Sequence, residues 1–193
     1  MKLRLNVHTP PTLETARLRL RPYNDADIAE LVPLIGAREV AATTLRIPHP
    51  YTERDAREFL ALLQDPRKIW LAITLVGDGR QIGGIGLTVD DQHQHAELGY
   101  WLGEPYWRQG YGTEAAREML RYGFDTLQLH RVFASHFKHN PASGRILVKL
   151  GMRHEGCQRE HICKWDQFID SELYGMLRQD FELSKQISKE VRE

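Results

Sequence analysis

The stretch Trp107-Arg108-Gln109-Gly110-Tyr111-Gly112-Thr113-Glu114 decides how this chain is read. It follows an apolar, aromatic strand pattern, Ala96 to Leu102, and leads into a helical pattern from Thr113 to Leu127. Two glycines flanking one residue at a strand-to-helix turn let the backbone pass close to a ligand with no Cβ in the way. The N–H groups that follow belong to a helix N-terminus, which carries roughly half a positive charge. A phosphate or pyrophosphate is the natural guest of such a turn. The spacings GxxxxGKS/T and GxGxxG are absent, because Thr113 and Ala115 follow the second glycine. The common NTP and dinucleotide sites are therefore disfavoured.

The elements around this turn predict a mixed α/β chain. Leu18 and Leu20 alternate with Arg17, Arg19 and Arg21, the pattern of a strand with one polar face. Asn24 with Asp27, and Thr52 with Asp55, carry helix-start spacing, and Pro33 is expected to bend or split the first of these helices. Ile69 to Val76 and Gln81 to Asp90 read as strands joined by the hairpin signal Gly77-Asp78-Gly79-Arg80, with His95 to Leu102 as the next strand. After the helix from Thr113 come a strand, Arg131 to Lys138, and a helix opened by Asn140-Pro141 and closed at Leu150-Gly151. Strands near Arg153 to Lys164 and Phe168 to Leu177 precede a charged tail. A meander feeding a single crossover is unlike a doubly wound sheet.

Composition narrows the function classes. Twenty-six basic and 26 acidic residues balance, so bulk charge points to neither nucleic acid nor a membrane surface as partner. No apolar run approaches the roughly 18 residues of a membrane span, and the N-terminus lacks the apolar region of a signal peptide. The two cysteines, Cys157 and Cys163, are too few for a disulfide scaffold and lack the CxxC spacing of a metal site. On one strand they would lie about 20 Å apart. No metal is expected, and a reduced, cytoplasmic compartment is the simpler reading.

Trp107-x-x-Gly110-x-Gly112 resembles the acyl-CoA signature of the GNAT acetyltransferases, in which Gln or Arg is followed by two residues, Gly, one residue, and Gly or Ala. Trp107 departs from that pattern in a way similar to the ribosomal-protein N-terminal acetyltransferase branch. The likeness extends through Gly99-Tyr100-Trp101-Leu102 and Tyr106 to Ala115. It includes Arg17-Leu18-Arg19-Leu20-Arg21 and Pro50-Tyr51-Thr52, then Asn140-x-x-Ser143, Gly151-Met152 and Glu155-Gly156. It implies one N-acetyltransferase domain over residues 1–193, with a core of about 14–180 and a charged tail of about 181–193. The implied fold is a central, mostly antiparallel twisted sheet of about seven strands, splayed between the fourth and fifth, with about four helices. Either a monomer or a homodimer is consistent with the resemblance.

The same resemblance assigns chemistry to residues. Acetyl-CoA is the implied co-substrate, its pyrophosphate held by backbone amides of Arg108, Gln109, Gly110, Tyr111, Gly112 and Thr113, each charge-assisted bond worth about 1.5–3 kcal/mol. The pantetheine arm would bind as an added strand on the backbone of Tyr100, Trp101 and Leu102, where an amide could also polarise the thioester carbonyl. Asn140 is a helix cap, a ligand to the arm, or both. Ser143 is an ordinary first-turn serine or the group that protonates the departing thiolate. Leu147 occupies the position where many members of the family place a tyrosine for that task. Transfer is direct, so neither cysteine is needed as a nucleophile. Glu97, and less closely Glu160, are the candidate bases, each with an alternative as a plain surface residue. Arg46, His49, Tyr51 and Trp165 are candidate walls of the acceptor pocket.

A protein α-amine, with a pKa near 7.7–8.0, is roughly a tenth neutral at pH 7, whereas lysine is neutral only about once in 2,500. A weak or water-mediated base therefore suits a peptide N-terminus. A small amine such as an aminoglycoside or polyamine, and a non-catalytic acyl-CoA-binding module, remain the alternatives.

Overall fold

The computed structural model describes residues 10–190. The N-terminal residues read above for a signal peptide, 1–9, and the last tail residues, 191–193, lie outside the described residues. An eight-stranded sheet runs in the order β1-β2-β3-β4-β5-β6-β8-β7. Its strands are β1 (Leu13–Glu14), β2 (Leu18–Pro22), β3 (Lys68–Leu75), β4 (Gln81–Asp90), β5 (His95–Leu102), β6 (Arg131–Phe137), β7 (Arg153–Lys164) and β8 (Gln167–Leu177). The helices are α1 (Ile28–Ile35), α2 (Arg38–Ala42), α3 (Glu53–Leu62), α4 (Tyr111–Arg121), α5 (Pro141–Lys149) and α6 (Arg178–Glu190). Every neighbouring pair is antiparallel except β5 and β6, which run parallel.

The strand added to the expected seven is β1, two residues that pair Leu13 with Leu20 and Glu14 with Arg19. The two helices added to the expected four have different origins. The first helical segment is interrupted at Gly36–Ala37 rather than at Pro33, which stays inside α1, so α1 and α2 are separate. The charged tail is largely helical: α6 continues from β8, and its Phe181 is buried and stacks on Phe124 at 4.8 Å between ring centroids. Phe124 belongs to a π-helical turn, Tyr122–Thr126, that prolongs α4.

Two apolar layers clamp the sheet. Ile28, Leu31 and Ile35 of α1, Val40 of α2 and Ala56 of α3 bury one face together with Trp101. On the other, Ala115, Ala116, Met119 and Leu120 of α4 and Leu147 of α5 pack on the strands. Capping boxes start both early helical segments: Asn24 with Asp27, and Thr52 with Asp55. Each is worth on the order of 1 kcal/mol.

The parallel pair positions everything that follows. Pairing of β5 with β6 covers His95↔Arg131, Ala96↔Val132 and Glu97↔Phe133, then stops. From Leu98 onward β5 keeps only its β4 neighbour, and the sheet opens as a wedge between the expected fourth and fifth strands.

Candidate active site

The wedge is a cleft of about 670 Å³ that passes through the sheet. Its lining takes Leu102, Asn140, Ser143 and Ile146 from the α4–α5 side and Val40, Arg46, Trp70 and Trp101 from the α1–α3 side. One opening therefore serves both faces of the sheet.

Strand phase decides which backbone groups meet the gap. The Gly103 N–H donates to the Ile82 carbonyl at 2.9 Å, and the register then makes Trp101 and Gly84 a hydrogen-bonded pair. The Trp101 backbone faces β4, whereas the N–H and C=O of Tyr100 and Leu102 face the gap. Of the expected trio, Trp101 thus contributes its side chain to the wall and not its backbone to the edge. The Leu102 carbonyl already accepts the Trp107 indole N–H at 2.7 Å. Trp107, where the family signature has Gln or Arg, ties the glycine turn to the end of β5.

The turn itself is built for an anion. Arg108 has φ +61° and Gly110 φ +84°, so left-handed residues alternate with ordinary ones before α4 and turn successive N–H groups to one side. Gly110 stands at the helix cap position, where it has no side chain to offer the first turn, and the amides of Tyr111, Gly112 and Thr113 are left for a ligand. Gly112 lines the cleft and also serves the packing of two helices. A Cβ there would lie 3.0 Å from Ile146 Cδ1, so this glycine lets α4 and α5 meet.

Arg17 braces the turn from β2's N-terminal side. Its guanidinium bonds Glu114 at 2.6 Å, donates to the Gln109 carbonyl at 3.1 Å and lies 4.5 Å over the Tyr111 ring. Glu114 also accepts from the Thr15 hydroxyl at 2.6 Å and the Arg17 N–H at 3.0 Å. Burial works to raise the Glu114 pKa, but these bonds outweigh it and hold the carboxyl below its usual range. The Gln109 side chain is itself occupied, donating to the Pro105 carbonyl at 2.8 Å.

Asn140 is a cap: its Oδ1 accepts the Ser143 N–H at 3.4 Å at the start of α5. Ser143 Oγ lies 2.8 Å from the Tyr100 phenol oxygen, a contact across 43 residues of sequence. Burial pushes that phenol up to about 12, against the opposing pull of the Ser143 hydrogen bond. Leu147 is wholly buried in the core and faces no ligand.

The two candidate bases part company. Glu97 lines the cleft, 36% exposed, with Arg46 Nη2 at 3.5 Å. Glu160 does not line it. It sits in a bulge of β7 with φ +50°, exposed, its N–H donating to Asp170 Oδ1 at 2.8 Å. The irregularity of β7 between Gln158 and Ile162 thus carries Glu160 outward. Among the expected walls, Arg46 lines the cleft and the other three do not. His49 Nδ1 is bonded to the Gly36 carbonyl, Tyr51 packs in the core against α1–α3, and Trp165 is half-exposed beneath Arg38.

Several neighbours were silent in the sequence. Arg145 and Lys149 on α5 line the cleft with Arg108 and Arg46, against Glu97 as the one carboxylate among the described lining residues. Their i, i+4 spacing was the available signal. Lys164, largely buried at the end of β7, donates its ammonium to the carbonyls of Thr44 and Ile47 and so fixes the loop that carries Arg46. Burial lowers its pKa. Among the described residues no group of His, Cys, Asp and Glu is arranged to hold a metal.

Comparison with known proteins places this geometry. The GNAT acetyltransferase domain matches residues 17–153, and the chain belongs to that family; it is an acyltransferase. YoaA of Bacillus subtilis, an N-acetyltransferase, is 31% identical over 173 residues, covering 87% of this chain and 97% of its own. The ribosomal protein uS5-alanine N-acetyltransferase of Escherichia coli is 31% identical over 84 residues, 44% of this chain and 43% of its own. A GNAT acetyltransferase from Bacillus anthracis superposes with a TM-score of 0.80 at 25% identity, over 88% of this chain and 99% of its own. GNAT acetyltransferases use acetyl-CoA and an amine acceptor, and no helix among the described residues is long and apolar enough to cross a membrane.

Proposed function

We propose that this enzyme acetylates the α-amine of a protein or peptide N-terminus. The observation that carries the reading is the through-sheet cleft: one opening is lined by the glycine turn on the α4–α5 side and by α2, its following loop and Trp70 on the α1–α3 side. Acetyl-CoA, bound in the wedge, supplies the activated acetyl group. Amides of Arg108 to Thr113 hold its pyrophosphate, and Arg108, Arg145 and Lys149 supply positive charge around its phosphates. The free edge of β5, at Tyr100 and the Leu102 N–H, pairs with the amides of its arm, and Asn140 closes that side. The basic side chains, the free amides of the turn and the unpaired edge at Tyr100 support that placement.

On the other side Glu97 takes the acceptor's proton, directly or through water, while Ser143 gives one to sulfur. A polycationic acceptor would favour several carboxylates at its mouth. Glu97 stands there already paired with Arg46, beside the apolar walls Val40, Ile47 and Trp70. That arrangement suits a single amine at the end of a chain. The E. coli relative, named for acetylating an alanine of a ribosomal protein, adds support of the same kind. A cytoplasmic setting suits such a substrate. Thiol release from acetyl-CoA, followed with a panel of peptides bearing free N-termini and with aminoglycosides and polyamines, tests the reading. Release with the peptides is expected. Faster release with a small amine, or tight binding with no release from any acceptor, would overturn it.

A further inference from the structure

We propose that Tyr100 is a positioning residue for the transfer step: its phenol O–H donates to Ser143 Oγ and leaves the serine O–H to point at the departing sulfur. This rests on the assignment of Ser143 as the group that protonates sulfur. A serine in the first turns of a helix commonly turns its hydroxyl back onto a backbone carbonyl one turn earlier. Here Ser143 Oγ has the Tyr100 phenol oxygen as its partner, at 2.8 Å, among the described residues. A hydroxyl carries one hydrogen and two acceptor sites. When it accepts from the phenol, its own hydrogen stays available for a third group. The wall of the cleft at Tyr100 and Ser143 is where that third group can stand.

Three further features support the pairing. Tyr100 lies on the part of β5 that β6 has left, so its backbone faces the gap while its ring reaches α5. The backbone that carries Ser143 is fixed at the start of α5 by the Asn140 cap. Leu147 is buried in the core and brings no hydroxyl to the cleft from the next turn of α5. Burial keeps the Tyr100 phenol protonated through the neutral range, so its O–H stays available to Ser143 Oγ, which is nearer at 2.8 Å than the Ser143 carbonyl at 3.4 Å.

The step balances. The acceptor nitrogen bonds the acyl carbon, the carbon–sulfur bond breaks, and its electron pair goes to sulfur. Sulfur takes the Ser143 proton and the Tyr100 phenol keeps its own. The acceptor nitrogen sheds one proton to Glu97 or water, equal to the one gained by sulfur, and water in the cleft returns a proton to Ser143 Oγ.

The test combines kinetics with titration of the thiol of bound CoA, followed by thiolate absorbance, in wild type, Tyr100→Phe, Ser143→Ala and the double variant. Ser143→Ala is expected to lower kcat about 100-fold and Tyr100→Phe about tenfold, with KM for acetyl-CoA nearly unchanged. The double variant is expected to match Ser143→Ala alone, because the phenol acts through the serine. Each variant should raise the pKa of the bound thiol. If Tyr100→Phe keeps full kcat and an unshifted thiol while Ser143→Ala loses both, the role of Tyr100 is wrong and that of Ser143 stands. If Ser143→Ala changes neither, the serine assignment itself fails. A Tyr100→Phe loss that adds to that of Ser143→Ala, or a collapse of CoA affinity in Tyr100→Phe, marks the tyrosine as packing only and overturns the proposal.

Discussion

At the residue scale, the two glycines of the turn do separate work. Gly110 needs its left-handed backbone, and a Cβ there would also approach Arg17 Nη2 at 3.3 Å. Gly110→Val is therefore expected to weaken CoA binding at least tenfold, read by calorimetry, because a β-branched residue resists that conformation. Gly112→Ala instead presses on Ile146, so it should cost about 1–3 kcal/mol of stability while moving CoA affinity little. Equal effects of both variants on affinity would contradict this division. The carboxylates divide similarly. Glu97→Gln is expected to reduce kcat about tenfold to 100-fold, and Glu160→Gln to leave it unchanged. The reverse pattern, measured by thiol release, would move the base to β7. The glycine turn was legible because a positive φ is a local demand that residue type answers. The Tyr100–Ser143 and Arg17–Glu114 contacts were not legible, because they join positions 43 and 97 residues apart and exist only once helices lie on the sheet.

At the element scale, α4 is stapled to the start of β2 by one carboxylate. The Glu114 pKa is depressed in the folded chain, so its contribution is present above the unfolded value, about pH 4.3, and fades as pH falls through the lower folded value. Thermal melting followed from neutral to acid pH should show a shallower acid loss for Glu114→Gln than for wild type. Parallel curves would mean that the staple contributes nothing to stability. The loop after α2 is held by Lys164 in the same manner, through the carbonyls of Thr44 and Ile47. Lys164→Met is expected to raise KM for the acceptor several-fold and leave KM for acetyl-CoA alone, since only the acceptor mouth loosens. A shift confined to acetyl-CoA would contradict that placement. Strands β4, β5 and β7 were bounded correctly from sequence because alternation and turn residues mark them. The two residues of β1 and the five of α2 are too short to show a period. Helix α6 carries so few apolar side chains that its charges masked it, although Phe181 anchors it.

At the scale of the whole molecule, function follows from one interruption in the sheet. Pairing of β5 and β6 ends at Glu97 and Phe133, and that gap joins a basic side, with Arg108, Arg145 and Lys149, to a mouth with Glu97 and Arg46. The fold and the glycine turn were readable because backbone geometry and one short motif define them. The α1–α3 side of the cleft was less so, since its walls come from a loop after α2 and strands β3, β5 and β6 that meet only in three dimensions. The acceptor is accordingly where a measurement bears hardest. The most direct one gives the enzyme acetyl-CoA and a peptide with one free α-amine and one internal lysine, then locates the acetyl group by fragment mass spectrometry. The expected result is acetylation of the α-nitrogen, with none on a control peptide whose N-terminus is blocked. Acetyl on the lysine, or transfer to the blocked peptide at an equal rate, would contradict it.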